Sequence, residues 1–233
     1  MAKHSKMYRA RAEAVDRDKL YSLEDAIAVL QGMPKLKFDE TMELAVRLGI
    51  DPKQSDQNVR GALALPHGTG KSVSVIVVAE GPAADAAKAA GADEVGYTEL
   101  IAKIAGGWTD FDVLIATPGA MSEVRKLGRV LGPRGLMPNP KTGTVTDDTG
   151  AAVRESKGGR VEYRADRGGV AHVPVGKVSF TQSALKENSE AVISALVRAR
   201  PAKSKGTYLL SFTLSSTMSP GVKLDPRQFS RSE

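Results

Sequence analysis

No cysteine occurs among the 233 residues. Disulfides, thiolate nucleophiles, iron–sulfur ligation and cysteine-based zinc sites are excluded together. Only His4, His67 and His172 remain as imidazole ligands, far apart along the chain, so no metal and no cofactor is expected. Long apolar runs are missing too. The best, Val73 to Ala79, has the length of a strand and falls far short of the roughly 18 residues of a membrane span. Residues Met1 to Lys19 mix both charge signs without an apolar centre, which predicts no exported leader and a cytoplasmic location. Aromatic side chains make up only 5% of the chain. A platform that stacks splayed bases is therefore not expected.

What is present fits a soluble globular protein: 41% hydrophobic residues, 26% charged residues and 23 glycines. The length favours two domains. Glycine-rich seams at Pro66-His67-Gly68-Thr69-Gly70 and Lys157-Gly158-Gly159 divide the chain, and the net charge of +6 divides unevenly with them. Residues 1–66 carry eleven cations against ten acids, 67–159 carry ten against eleven, and 160–233 carry twelve against six. The outer segments are basic and the middle is nearly neutral. A polyanion partner is expected on the outer segments.

Residues 73–156 alternate apolar runs with helical stretches in a β-α-β-α-β-α order, from Val73–Ala79 through Ala83–Ala90, Glu94–Gly96, Glu99–Ala105 and Val113–Ala116 to Ala120–Leu127. That order predicts a small parallel sheet covered on both faces, a Rossmann-like inserted domain over 67–159. Gly68-Thr69-Gly70-Lys71-Ser72 ends like a phosphate-binding loop, but its first glycine would have to stand at Leu65, and the stretch leads into a strand instead of a helix. No G-x-G-x-x-G follows the first strand. A nucleotide-binding enzyme stays as the alternative function. No acid–base or nucleophile constellation supports catalysis. One stretch of the middle segment, residues 125–143, holds Arg125, Lys126, Arg129, Arg134 and Lys141 and no carboxylate. Its glycines and prolines predict a long loop, and the cations suggest a second polyanion contact.

In the outer segments, Asp39 to Leu48 alternates as a strand with one wet face, and Val161–Arg164, the turn Asp166-Arg167-Gly168-Gly169 and Val170–Val175 read as a hairpin. Helical spacing marks Leu23–Leu30 and Gln182–Arg200. Antiparallel strands covered by helices make an α+β domain. In Leu210–Ser215 the apolar side chains point one way, while Ser211, Thr213 and Ser215 line the other face at about 6.6 Å intervals. Such a row of hydroxyls on a basic domain suits phosphate oxygens and ribose 2′-hydroxyls, the group that distinguishes RNA from DNA.

Three stretches carry a resemblance: Lys37-Phe38-Asp39-Glu40-Thr41, the run Lys126 to Lys141, and Ser215-Ser216-Thr217-Met218. They resemble the motifs of the large-subunit ribosomal protein L-one family in its bacterial form. The resemblance runs end to end. It implies an α+β domain built from both termini, residues 1–66 and 160–233, with the Rossmann-like α/β domain inserted. It also implies binding to large-subunit ribosomal RNA, formation of the mobile stalk beside the tRNA exit site, and repression of its own operon through the messenger RNA. The partners it implies are the ribosome, its RNA, the exit-site tRNA and the operon mRNA. Carried over by position, RNA contacts would fall on Lys37, Phe38, Thr41, Glu43, Arg164, Asp166, Arg167, Ser211, Thr217 and Met218. Thr213, Ser215 and Ser219 complete the expected surface. Phe38 would pack at the RNA surface, unless it belongs to the core. The family usually has glycine where this chain has Ser219. If that backbone needed a positive φ, serine would cost on the order of 1 kcal/mol.

Overall fold

The computed structural model describes residues 5–229. The chain forms two compact units, one running up to Gly70 and resuming at Val161, the other Lys71–Arg160. His4 lies outside the described residues.

The first unit opens with α1 (Lys6–Glu13) and α2 (Leu23–Gln31), then β1 (Thr41–Leu48) and β2 (Arg60–Ala64). Ser22 starts α2 by accepting the Asp25 amide at 3.1 Å, and Glu24 and Asp25 place negative charge at the positive end of the helix dipole. The second unit runs β3 (Val75–Val78), α3 (Pro82–Ala89), β4 (Glu94–Gly96), α4 (Thr98–Ala105), β5 (Val113–Ala116), α5 (Met121–Val124), α6 (Gly128–Leu131) and α7 (Thr149–Lys157). The chain then re-enters the first unit through β6 (Arg160–Arg164), β7 (Val170–Lys177), α8 (Gln182–Arg198), β8 (Leu209–Ser216) and β9 (Val222–Leu224).

The main sheet of the first unit has the order β7-β1-β8-β9, with β1 antiparallel to both neighbours. Met42, Leu44, Val46 and Leu48 of β1 point inward with Phe212 and Leu214 of β8. They pack against Ala26, Ile27 and Leu30 of α2 and Leu185, Val192 and Leu196 of α8. Among the described residues, α2 and α8 cover the buried face of the sheet. The opposite face carries the alternate residues of each strand, which is the period-2 pattern of a half-wet antiparallel sheet.

In the second unit the parallel sheet has the order β4-β3-β5. Ile76, Val78, Leu114 and Ala116 join the α4 to α6 cluster, while Val75, Val77 and Ile115 join α3 and α7. The central strand is buried on both sides, hence its unbroken Val and Ile. No helix among the described residues is long and apolar enough to cross a membrane.

The structure corrects three expectations. Leu210, expected to point inward with Phe212 and Leu214, is 43% exposed, because the register shifts between Arg47 and Leu48 and Leu209 is the residue buried instead. The hairpin over 161–175 is a single bridge, Ala165 to Ala171, after which β6 pairs with β2 and β7 with β1 in separate sheets. The loop over 125–143 is helical in its first third, with a 3-10 turn at Arg125–Leu127 and then α6, because Leu127 and Leu131 are buried at helical spacing. As the sequence order implies, residues 68–72 turn into β3 with no helix until Pro82, so the strand–loop–helix order of a phosphate loop is absent.

Candidate nucleic-acid interface

Register places the wet-face residues in rows across the sheet. Arg47 of β1 lies between Val170 and Ser211. Ala45 lies between His172 and Thr213, with Lys223 of β9 beyond. Glu43 lies between Pro174 and Ser215. Ser211 is exposed and Thr213 and Ser215 half-buried, so the three expected hydroxyls line one solvent-facing ridge. Gly221 permits the ridge to pack: a Cβ there would come within 2.6 Å of the Thr213 methyl. From Thr41 to Arg47 the face spans about 20 Å.

One end of the face is bounded by the turn 166–169. The Asp166 Oδ1 accepts the amides of Gly168 and Val170, both at 2.8 Å. These bonds, that of Val170 first, hold its carboxyl below the usual aspartate range. Asp166 therefore shapes the turn, and the exposed Arg167 side chain is carried by it. Arg164 is exposed on β6, in the two-stranded ladder with β2, and does not join the four-stranded sheet.

The opposite end is a knot of polar bonds around Thr41. Lys177 Nζ donates to Thr41 Oγ1 at 2.9 Å, the Thr41 amide donates to Thr217 Oγ1 at 3.1 Å, and the Thr217 amide donates back to the Thr41 carbonyl at 3.1 Å. Glu40 sits behind this knot. Its Oε2 accepts Ser216 Oγ at 2.7 Å and the Met218 amide at 3.1 Å, and its two oxygens receive a bidentate Arg11 guanidinium at 2.6 and 2.9 Å. The Arg11 guanidinium also donates to the Pro34 carbonyl. The Arg11 hydrogen bonds hold the Glu40 carboxyl below its usual range, helped by those of Ser216 and Met218.

With the loop fixed from behind, Met218 and Phe38 each stand 54% exposed beside it. Phe38 is a surface residue, and the core alternative falls. Lys37 is exposed next to it. Ser219 is also settled: among the described residues no non-glycine has a positive φ, so serine meets no left-handed penalty. Its hydroxyl instead accepts the Ser216 amide at 2.8 Å and donates to the Pro220 carbonyl at 2.9 Å.

Sequence reading missed Arg11, Glu40, Arg47, His172 and Lys223. The last three were findable, since each lies on the polar phase of a strand. His172 Nδ1 pairs with Glu43 Oε1 at 2.7 Å in the middle of the face. Arg11 carried no signal, because nothing local announces that an arginine on a polar helix will be buried.

In the second unit Arg125, Lys126, Arg129, Arg134 and Lys141 are all exposed. Lys126 is paired with Glu123 at 2.7 Å, an acid three residues upstream that turns back on the same helical segment. Arg134 donates to Thr109 Oγ1. Arg125, Arg129 and Lys141 have no carboxylate partner among the described residues.

Residues 29–220 match the model of the Ribosomal protein L1p/L10e family. Relatives named Large ribosomal subunit protein uL1 from two strains of Lactobacillus delbrueckii subsp. bulgaricus are 56% identical over 226 residues, 97% of this chain and 98% of theirs. The uL1 of Lactobacillus acidophilus is 54% identical over 226 residues, with the same coverage of both chains. Identity at this level along almost the whole chain leaves one reading, and the chain belongs to the ribosomal protein L1p/L10e family.

Proposed function

We propose that this chain is a structural protein of the large ribosomal subunit, with no catalytic role, whose first unit holds a folded segment of ribosomal RNA on the wet face of its sheet. The observation that carries this is the in-register ridge Ser211, Thr213 and Ser215, bordered by Arg47, Lys223 and Lys177, in a chain of this family. Hydroxyls at about 6.6 Å spacing suit the sugar-phosphate contour, and the cations supply affinity that falls with salt. Lys37, Phe38, Thr41, Glu43, Arg164, Arg167, Thr217, Met218 and Ser219 extend the contact surface, with Asp166 holding the turn that carries Arg167. Ribosome and rRNA association is the family role. Formation of the stalk beside the tRNA exit site and repression of the chain's own operon through its mRNA extend it, and the exposed cations Arg125, Arg129, Arg134 and Lys141 are offered as the second unit's polyanion contact.

The test uses a shortened chain. The Ala165 amide donates to the Val59 carbonyl and Tyr163 lies over Gly61, so the antiparallel order brings Ala64 alongside Arg160. Residue 66 can then be joined directly to residue 160 through a short turn. In a filter assay this shortened chain should retain most of the specific binding to the rRNA fragment crosslinked to the full protein in cells. Loss of binding with the sheet intact by circular dichroism would refute the assignment to the first unit.

A further inference from the structure

Beside the wet face, a cleft of about 600 Å³ opens between the segment 35–40 and the segment 178–180. Its apolar lining is Leu36, Phe38, Val178 and Phe180, and Lys35 and Lys37 stand exposed at its mouth. Neither lysine has a carboxylate partner among the described residues. The walls are fixed. Gln31 Nε2 donates to the carbonyls of Val178 and Phe180 at 3.1 and 2.7 Å, and Asp39 accepts the Ser179 amide at 3.2 Å and its hydroxyl at 2.6 Å. Gly176, with φ of +147°, lets the Phe180 ring lie against the backbone, since a Cβ there would approach the ring to 2.9 Å.

We infer that this cleft receives one unpaired nucleotide of the bound RNA, its base against Phe38, Leu36 and Phe180 and its phosphate on Lys35 and Lys37. This rests on the RNA reading above. Three observations join here. A phenylalanine left 54% exposed at the edge of a pre-formed cleft offers a flat apolar surface, and every base has a π-face to set on one. Among the described residues the carboxylates lining the cleft are Glu40, neutralised by Arg11, and Asp39, which keeps its charge while accepting from Ser179, so Lys35 and Lys37 leave the lining net positive, as a phosphate requires. The cleft also continues directly from Thr41 at the end of the hydroxyl face, through Glu40 and Asp39. A single recessed site of this kind is compatible with the low aromatic content, which argues only against a multi-base platform.

The experiment scans the crosslinked rRNA fragment with abasic residues at each unpaired position and measures the affinity of the full chain and of its Lys35→Ala and Leu36→Asp variants. One abasic position is expected to weaken wild-type binding about tenfold and to weaken Leu36→Asp little further. The same position carrying 2-aminopurine should change fluorescence on adding wild-type protein, and Lys35→Ala should lower affinity while leaving that spectral change in place. If wild-type protein binds the fragment but no abasic loss is absorbed by Leu36→Asp, the cleft holds no base and the inference is overturned while the RNA reading stands. If wild-type protein does not bind the fragment, both fall.

Discussion

Arg11 and Glu40, from the first helix and the residue before β1, form a bidentate ion pair that is almost wholly buried, with 2% and 5% of the side chains exposed. The same carboxylate receives Ser216 Oγ and the Met218 amide. One buried acid thus ties together α1, the entry to β1 and the loop after β8. These three segments are remote in sequence, and the last two carry the proposed RNA contacts at one end of the sheet. Removing Arg11 leaves a buried carboxylate without its counter-charge, which is the expensive way to break such a pair.

Arg11→Met should therefore destabilise the first unit by about 3 kcal/mol in urea unfolding and weaken rRNA binding beyond the loss of folded protein. The double variant Arg11→Met/Glu40→Leu should recover part of the stability, because an apolar pair can fill the space. It should not recover the affinity, because with Glu40 gone the Met218 amide and Ser216 hydroxyl lose their acceptor. Recovery of both would mean that the pair only holds the fold.

The same contact sets an acid limit. The Glu40 carboxyl lies below its ordinary value of 4.5 in the folded chain, chiefly through Arg11. A depressed native value means that its contribution is complete above the unfolded value and is lost as pH falls through the native one. Between pH 4.5 and the native value the unfolded chain binds the proton that the folded chain does not. Unfolding free energy measured from pH 7 down to pH 3 should fall more steeply for wild type than for Glu40→Gln. Parallel curves would remove Glu40 from the acid response.

Much of this was legible from residue types. Val73–Val78 reads as a strand buried on both faces, and β3 lies between β4 and β5 with helices on either side. Alternation over Phe212–Ser215 separated the hydroxyls from the core, as β8 does, but it failed at Leu210, where a register shift against β1 breaks the alternation. The hidden parts were those decided by distant partners. Arg60–Ala64 becomes a strand because β6 returns ninety-odd residues later to pair with it, and no periodicity within five residues can announce that. The segments on either side of the Ala165–Ala171 bridge diverge into two sheets for the same reason. The Arg11–Glu40 pair spans 29 residues and satisfies a burial that composition alone would forbid.

Ser219 gives a sharper local test. Its hydroxyl caps the Ser216 amide, and its backbone needs no left-handed conformation. Ser219→Gly removes that bond and adds freedom to the unfolded chain, so it should destabilise by about 1 kcal/mol and slightly weaken RNA binding. A glycine variant more stable than wild type would show that the serine is strained after all.

The division of labour across the wet face can be read from salt and sugar dependence together. Ser211→Ala and Thr213→Val remove hydroxyls without changing charge, so they should lower the preference for the rRNA fragment over DNA of the same sequence and leave the salt slope unchanged. Lys223→Ala and Arg47→Ala should weaken binding to all polyanions and reduce the slope of log affinity against log salt by about 0.7 to 0.9 each if each meets one phosphate. Thr217→Ala loses the bond from the Thr41 amide and should weaken specific binding, as should Met218→Ala. Lys141→Ala, in the second unit, should change little on an isolated rRNA fragment. If Lys141→Ala and Thr217→Ala had equal effects there, the first unit would not be the seat of recognition, and the hydroxyl ridge would be only the solvated face of an ordinary sheet.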